Sequence, residues 1–231
     1  MQNGRVTNGS GDEARVGVVV ALPEELGPLT ERVRSLGLRS GLELYEAALG
    51  AGPPALVTIA GVGKVRAARA ASLLIEAGAR RALLSVGVCG GLRRTERVGD
   101  LLLCDKAVQA DLALRADRER SADPSLTAAW AGVVEARRAT FLTADRPVLS
   151  PWRRLRLARA WVGPCAADME TAAVAWVSEA AGVPWAALRA VSDDVGFGRR
   201  HSFGHNFHSQ AGRAAASLPD LYSALERPGP I

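Results

Sequence analysis

Lysine is almost missing from this chain. Lys64 and Lys106 are its two lysines among 29 basic residues, and the remainder are arginine. Aromatic residues make up 5%, cysteines number three, and no apolar run approaches the ~18 residues a membrane-spanning helix needs. Each shortage excludes something. Cys89, Cys104 and Cys165 are odd in number and far apart, with no C-x-x-C pair. That argues against a disulfide framework and against a zinc site, and a cytoplasmic location follows as the default. No metal or cofactor is expected, and no membrane insertion. Four Phe, five Trp and two Tyr offer few platforms for stacking bases, and the arginines are scattered. Nucleic-acid binding is therefore not expected, despite a net charge of +5. The local group Arg153, Arg154, Arg156 and Arg159 fits the solvated side of a helix. Met1–Arg15 lacks an apolar segment, so it is no secretory signal and reads as a flexible leader over residues 1–15.

What is present fits one α/β domain over residues 16–231. Hydrophobic residues are 48% of 231, enough to build a core without staples. Val16–Leu22 is a continuous β-branched run, suited to a strand covered on both faces. Pro23, Glu24 and Glu25 suit the first turn of a helix, where proline is pre-set and acids meet the positive helix end. Further strands are expected at Leu42–Leu49, Ala55–Ile59, Ala82–Val86, Leu101–Cys104 and Trp185–Val191. Helices are expected at Lys64–Ala77, Pro124–Arg137, Trp152–Trp161, the later part of Asp168–Ala181, and Phe207–Leu225, the last interrupted near Pro219. Strands alternating with helices predict a three-layer α/β/α sandwich around a twisted mixed, mostly parallel sheet.

Ligands of such sheets bind beyond the carboxyl ends of the strands. The first strand delivers Glu24 and Glu25 there. The Ala82–Val86 strand delivers the glycine turn Gly87-Val88-Cys89-Gly90-Gly91. The stretch after Cys165 delivers Asp168, Met169 and Glu170, and the last strand delivers Ser192, Asp193 and Asp194. No strand end delivers a lysine, and Arg189 lies inside its strand. Acids without a histidine cluster suit acid–base work at a glycosidic bond: one carboxylate activates water and another protonates the leaving group. A carboxylate also stabilises an oxocarbenium-like transition state, and glycines let backbone N–H groups approach a ligand closely.

Each piece has a plainer reading too. Glu24 and Glu25 complement a helix dipole, Asp168 and Glu170 cap the following helix, and Asp193-Asp194 form a turn. Met169 suits a core, and the glycines suit tight packing. His201, His205 and His208 suit a surface loop with no acid nearby. The coincidence of these groups at one sheet rim is what favours a site.

In that order and spacing the residues resemble the nucleoside phosphorylase/nucleosidase superfamily, from Val16 to about Leu225. The resemblance rests on Ala21-Leu22-Pro23-Glu24-Glu25, on Gly87–Leu92 with Val98-Gly99-Asp100, on Asp168–Ala175, and on Arg189–Asp193. It implies that Glu25 activates the attacking water and that Asp193 gives a proton to the leaving base, the two forming the catalytic pair. Met169 and Glu170 then hold the ribose hydroxyls. Ser192, Val148, Phe203 and Gly90 then line the substrate pocket. The implied activity is hydrolysis of a 5′-substituted adenosine with release of adenine, in a cytoplasmic homodimer.

Phosphorylases of the superfamily hold phosphate with a Gly-Asp-Pro-x-x-Arg loop, an arginine, and a Ser or Thr. Here Ala21–Glu25 replaces the loop, Ser85 stands at the arginine position and Val88 at the hydroxyl position. A phosphate dianion without such partners is costly to desolvate, which favours water. The 5′-group is less determined. Pro147 stands where methylthioadenosine enzymes carry an aromatic, and Ala107–Asp111 replaces their Tyr/His segment. Ser85-Val86-Gly87 and Thr143–Val148 also resemble the hopanoid-associated phosphorylase branch, and futalosine hydrolase is a third relative. A catalytically silent binding protein of this fold is the non-enzyme alternative.

Overall fold

The computed structural model describes residues 14–114, 117–196 and 198–226. The expected leader lies outside these residues except for Ala14 and Arg15, as does the very end of the expected domain. β1 (Val16–Val20) is buried at every position, as a β-branched run covered on both faces should be. It runs parallel to β4 (Ala55–Ile59) on one side and to β5 (Ala82–Gly91) on the other. Beyond β4 lie β3 (Leu42–Ala47) and β2 (Val33–Arg39), both antiparallel. Reading the sequence missed β2, whose VRSLGLR segment is largely exposed. An edge strand has no continuous apolar face to announce it.

On its other side β5 pairs in parallel with β10 (Trp185–Asp193). β10 is antiparallel to β6 (Leu101–Gln109), and β6 is parallel to β8 (Arg137–Thr143). β8 is parallel to β9 (Cys165–Asp168), which returns antiparallel to β5. Five strands thus close a ring, while β1, β4, β3 and β2 extend from it as an open wing. The short β7 (Glu119–Ser121) flanks β6. The sheet is mixed, as expected. Its pairings divide evenly between parallel and antiparallel, because the edge ribbon and the ring closures are antiparallel.

Two helical layers cover the sheet. α1 (Lys64–Glu76) and α4 (Thr171–Ala180) bury Ala70, Leu74, Val174 and their neighbours against one face. α2 (Pro124–Ala131), α6 (Leu218–Glu226) and the 3₁₀ segment Pro23–Glu31 bury Trp130, Leu218, Leu221 and Leu29 against the other. α2 starts at the Asp123 cap, whose Oδ1 accepts from Leu126 N–H at 2.8 Å. It stops at Gly132, short of the Arg137 expected, and Arg137 instead opens β8. The expected closing helix Phe207–Leu225 is interrupted as expected, though before Leu218 rather than at Pro219, and forms two helices, α5 (Phe203–Gln210) and α6. The expected glycine turn Gly87–Gly91 is the end of β5, so those backbones keep sheet partners on β10 and β9. α3 (Pro151–Ala158) completes the helices. Among the described residues no helix is long and apolar enough to cross a membrane.

Gly27 breaks the 3₁₀ segment with φ of +50°. A Cβ there would lie 2.5 Å from Gly212 Cα, so the two backbones touch. Gly27→Ala combines backbone strain with this collision and should lower stability by about 1–3 kcal/mol or more. A urea unfolding midpoint equal to wild type would contradict the close approach.

Candidate active site

The site begins where β1 ends. The chain turns at Leu22-Pro23 and brings Glu25 back beneath its own strand end. Glu25 Oε2 accepts from the N–H groups of Ala21 at 2.7 Å and Leu22 at 3.0 Å, while Oε1 accepts from Val88 N–H at 3.0 Å. Glu24 beside it is exposed and takes no part. Burial pushes the Glu25 carboxyl above its usual range, against the pull of Arg189 and the three N–H donors. The contact requires glycine at 87. A Cβ there would overlap both Glu25 Oε1 and the Arg189 guanidinium.

Arg189 is the residue that reading the sequence set aside as interior to its strand. It is 1% exposed in a strand buried throughout. Its Nη2 lies 3.1 Å from Asp168 Oδ2, 3.0 Å from Ser85 Oγ, 3.2 Å from Thr171 Oγ1 and 3.6 Å from Glu170 Oε2. The signal was available: an arginine inside a fully apolar strand costs several kcal/mol unless it meets anions. Asp168 is in turn held by Thr143 Oγ1 at 2.5 Å and by the N–H of Thr171 at 2.9 Å. It caps α4 from the sheet side and is a support rather than a lining acid alone.

Glu170 follows β9 and is 5% exposed. Its Oε1 accepts from Gly63 N–H at 2.9 Å. Burial raises its pKa to about 7, helped by the negative charges of Asp168 and Glu25 and opposed by Arg189. Three carboxyl groups therefore lie around one guanidinium, and burial raises the proton affinity of both Glu25 and Glu170.

Asp193 closes the other end. Ser192 Oγ lies 2.6 Å from Asp193 Oδ1 and 3.2 Å from Cys89 O. Asp193 Oδ2 is ion-paired with Arg154, which is itself 2% exposed. This corrects the reading of Arg153–Arg159 as one solvated face: Arg153, Arg156 and Arg159 are exposed, and Arg154 is turned inward with Ala158 one turn later. Asp194 points elsewhere, to His201 Nδ1 at 2.7 Å and Gly196 N–H at 2.8 Å. The histidine segment thus does meet an acid, contrary to expectation, because the loop after β10 folds back on itself.

One cavity of about 360 Å³ collects these groups. Glu25, Asp193, Glu170, Met169, Ser192, Val148, Phe203 and Gly90 all line it, on a mainly apolar wall that includes Ala167, Leu149 and Phe207. Among the described residues no lysine or arginine lines it. Among the described residues no group of three His, Cys, Asp or Glu is arranged to hold a metal ion.

Comparison with known proteins places this geometry. The profile described as "Phosphorylase superfamily" matches residues 15–224. The chain is 27% identical over 200 residues to the 5′-methylthioadenosine/S-adenosylhomocysteine nucleosidase of Shewanella halifaxensis, covering 78% of this chain and 86% of that one. With the nucleosidase of the same name from Tolumonas auensis it shares 25% over 230 residues, covering 91% and 100%. Among solved structures, the futalosine hydrolase of Helicobacter pylori superposes with a TM-score of 0.79 at 24% identity, covering 92% of this chain and 97% of that one. A Streptococcus pyogenes S-adenosylhomocysteine nucleosidase complexed with 5-methylthiotubericidin gives 0.82 at 22%, covering 93% and 98%. The three-layer mixed α/β fold is common to all.

The raised Glu170 pKa has a stability consequence whose sign is fixed. Unfolded, a glutamate titrates near ~4.3. Between there and about 7 the folded chain holds a proton that the unfolded chain has lost, so stability falls as pH rises through this window. Glu170→Gln keeps an oxygen for Gly63 N–H and removes the titration. Its stability relative to wild type should rise with pH by up to about 1.4 kcal/mol per unit across the window, measured by urea unfolding at pH 5, 6 and 8. A difference independent of pH would contradict the raised value.

Proposed function

The chain belongs to the phosphorylase superfamily, and from that premise we propose that it is a purine nucleosidase: a hydrolase that cleaves the N-glycosidic bond of a 5′-substituted adenosine and releases adenine. The names of its relatives support the reaction class. The observation that carries water rather than phosphate as nucleophile is the state of the anion-binding groups. The N–H donors of Ala21, Leu22 and Val88 are all taken by Glu25. Among the described residues, the nearby guanidinium on this side, Arg189, is engaged by carboxylates and hydroxyls, and no basic residue lines the cavity. A phosphate dianion entering here would displace an internal carboxylate and find no cation, a costly exchange.

In this reading the base lies between Val148, Phe203 and Gly90, with Ser192 and Asp193 at its edge. The ribose lies on Met169, with its hydroxyls at Glu170. Water held by Glu25 attacks the anomeric carbon and gives its proton to the Glu25 carboxylate, whose raised proton affinity suits a base working near neutrality. The glycosidic C–N bond breaks with its electron pair going to the base, and Asp193 supplies a proton to a ring nitrogen of that base. The oxocarbenium-like sugar develops positive charge between these events, and the nearby carboxylates stabilise it electrostatically. Solvent then returns a proton to Asp193 and removes one from Glu25.

The mouth of the cavity is apolar. Val62 is 40% exposed, Leu149 62% and Phe203 39%. This supports a 5′-substituent with apolar surface, a thioether being the simplest and a bulkier alkyl group, as in adenosylhopane, the second candidate. Together with exposed Val65 and Trp152, these side chains also support a homodimer that covers them in a cytoplasmic protein.

The reaction is tested by adenine release from methylthioadenosine, S-adenosylhomocysteine and longer 5′-alkyl adenosines, each with and without phosphate. Release should be independent of phosphate. An absolute requirement for phosphate would replace water in the mechanism, and no release from any of them would reject the reading. Asp193→Asn and Glu25→Gln should each reduce kcat by on the order of 10²–10⁴, the range for a lost acid or base. Near-normal turnover in either would remove that residue from its role. Sedimentation velocity should give twice the 24.2 kDa chain mass.

A further inference from the structure

Asp193 is the group this reading assigns to protonate the base, yet its setting opposes a proton. Both carboxylate oxygens are occupied, Oδ1 by the Ser192 hydroxyl and Oδ2 by the Arg154 guanidinium. A buried opposite charge in contact favours the ionised carboxylate. The same guanidinium reaches two further groups. Arg154 Nε donates to Val148 O at 2.7 Å, and Nη1 donates to Gly91 O at 3.3 Å. Gly90 backs the pair: a Cβ there would meet Asp193 Oδ2 at 3.2 Å and Arg154 Nη2 at 3.3 Å. One side chain from α3 therefore joins β10, the end of β5 and the 147–149 segment at the base end of the cavity.

An arginine buried in this way is expensive, and its neighbours on α3 are solvated. Packing alone would place an alkyl side chain here. The planar fork fits three separate acceptors, which a lysine could not do.

We infer that Arg154 is a positioning residue for the reaction at the base: its single guanidinium lowers the proton affinity of Asp193 and fixes the Val148 carbonyl, so the protonation of the acid and the seat of the base are set together. Arg154 does not line the cavity and acts through Asp193 and Val148. The proton that Asp193 gives up must be taken on against this cation, so Arg154 sets how far into alkaline solution the enzyme keeps working. The inference rests on the assignment of Asp193 as the acid.

Other charged groups surround the pair. Asp194 follows β10 and is tied to His201, and β5 contributes the Cys89 thiol, which burial pushes far up and keeps neutral. Arg189, Asp168, Glu170 and Glu25 lie on the sugar side of the cavity. α5 presents Phe203 and Phe207 to the cavity, and its His205 and His208 are not lining residues. All of these remain in an Arg154 variant, so the difference from wild type isolates the one cation.

The test is the pH profile of kcat/KM for adenine release in Arg154→Met and Arg154→Lys. In Arg154→Met the alkaline limb should move up by about one unit or more, the size expected for an adjacent arginine, and KM should rise as the Val148 carbonyl is released. Arg154→Lys should keep the limb within half a unit of wild type while KM rises, since charge is retained and the fork is lost. A raised KM with an unmoved limb in Arg154→Met would overturn the inference, leaving a merely structural arginine and the nucleosidase reading intact. A second measurement needs no turnover. In wild type, Arg154→Lys and Arg154→Met carrying ¹³C-carboxyl aspartate, with the Asp193 signal assigned by Asp193→Asn, that carboxyl should titrate at lower pH in the two chains that keep the cation than in Arg154→Met. Equal titration in all three would overturn the inference whatever the enzyme's substrate proves to be.

Discussion

One buried guanidinium governs the chemistry of this fold. Arg189 stands in the middle of β10, a strand without an exposed residue, and is neutralised from three directions by Asp168, Glu170 and Glu25. It cannot be buried without them, and they cannot crowd together without it. Glycine at 87 is part of the same constraint, because a Cβ there would collide with both the Glu25 carboxylate and the Arg189 guanidinium. The balance is uneven: three carboxyl groups face one cation, and burial raises the proton affinity of Glu25 and Glu170.

The site has two electrostatic ends. At the Glu25–Glu170 end, acids outnumber cations, and Glu25 and Glu170 carry raised proton affinities. At the other end, Asp193 is paired with Arg154. Neither cation reaches the cavity wall, so the cavity offers a ligand carboxyl groups, a hydroxyl and apolar surface. A cavity of this kind admits a neutral purine nucleoside more readily than an anion.

The scaffold explains how so few residues suffice. The closed ring of β5, β10, β6, β8 and β9 turns several strand ends toward one point, and β1 adds its end from the wing. β9 and β10 run into Asp168 and Asp193 directly, so these acids are held by sheet geometry rather than by loops. The less constrained wall is the 147–150 segment with the start of α5. That wall carries the exposed apolar side chains Leu149 and Phe203.

Much of this was legible in the letters. Buried strands such as Val16–Val20 and Ala55–Ile59 announce themselves by unbroken apolar runs, and Lys64–Glu76 by its helical period. The acids Glu25, Glu170 and Asp193 could be assigned to one rim because strand ends in such sheets converge. Local pattern fixes those features, since they depend on side-chain type within a few positions. The break in the closing helix falls just before the Pro219 that signals it, whereas the edge strand β2 and the strand β8 beginning at Arg137 were not legible, because partners distant in sequence define them. The same holds for the two buried arginines. Nothing near Arg154 distinguishes it from its solvated neighbours; only the packing of α3 against β5 and β10 turns it inward onto Asp193. Charge identity is written in the sequence, but which charges lose water is decided by tertiary structure, because desolvation depends on what the rest of the chain places around them.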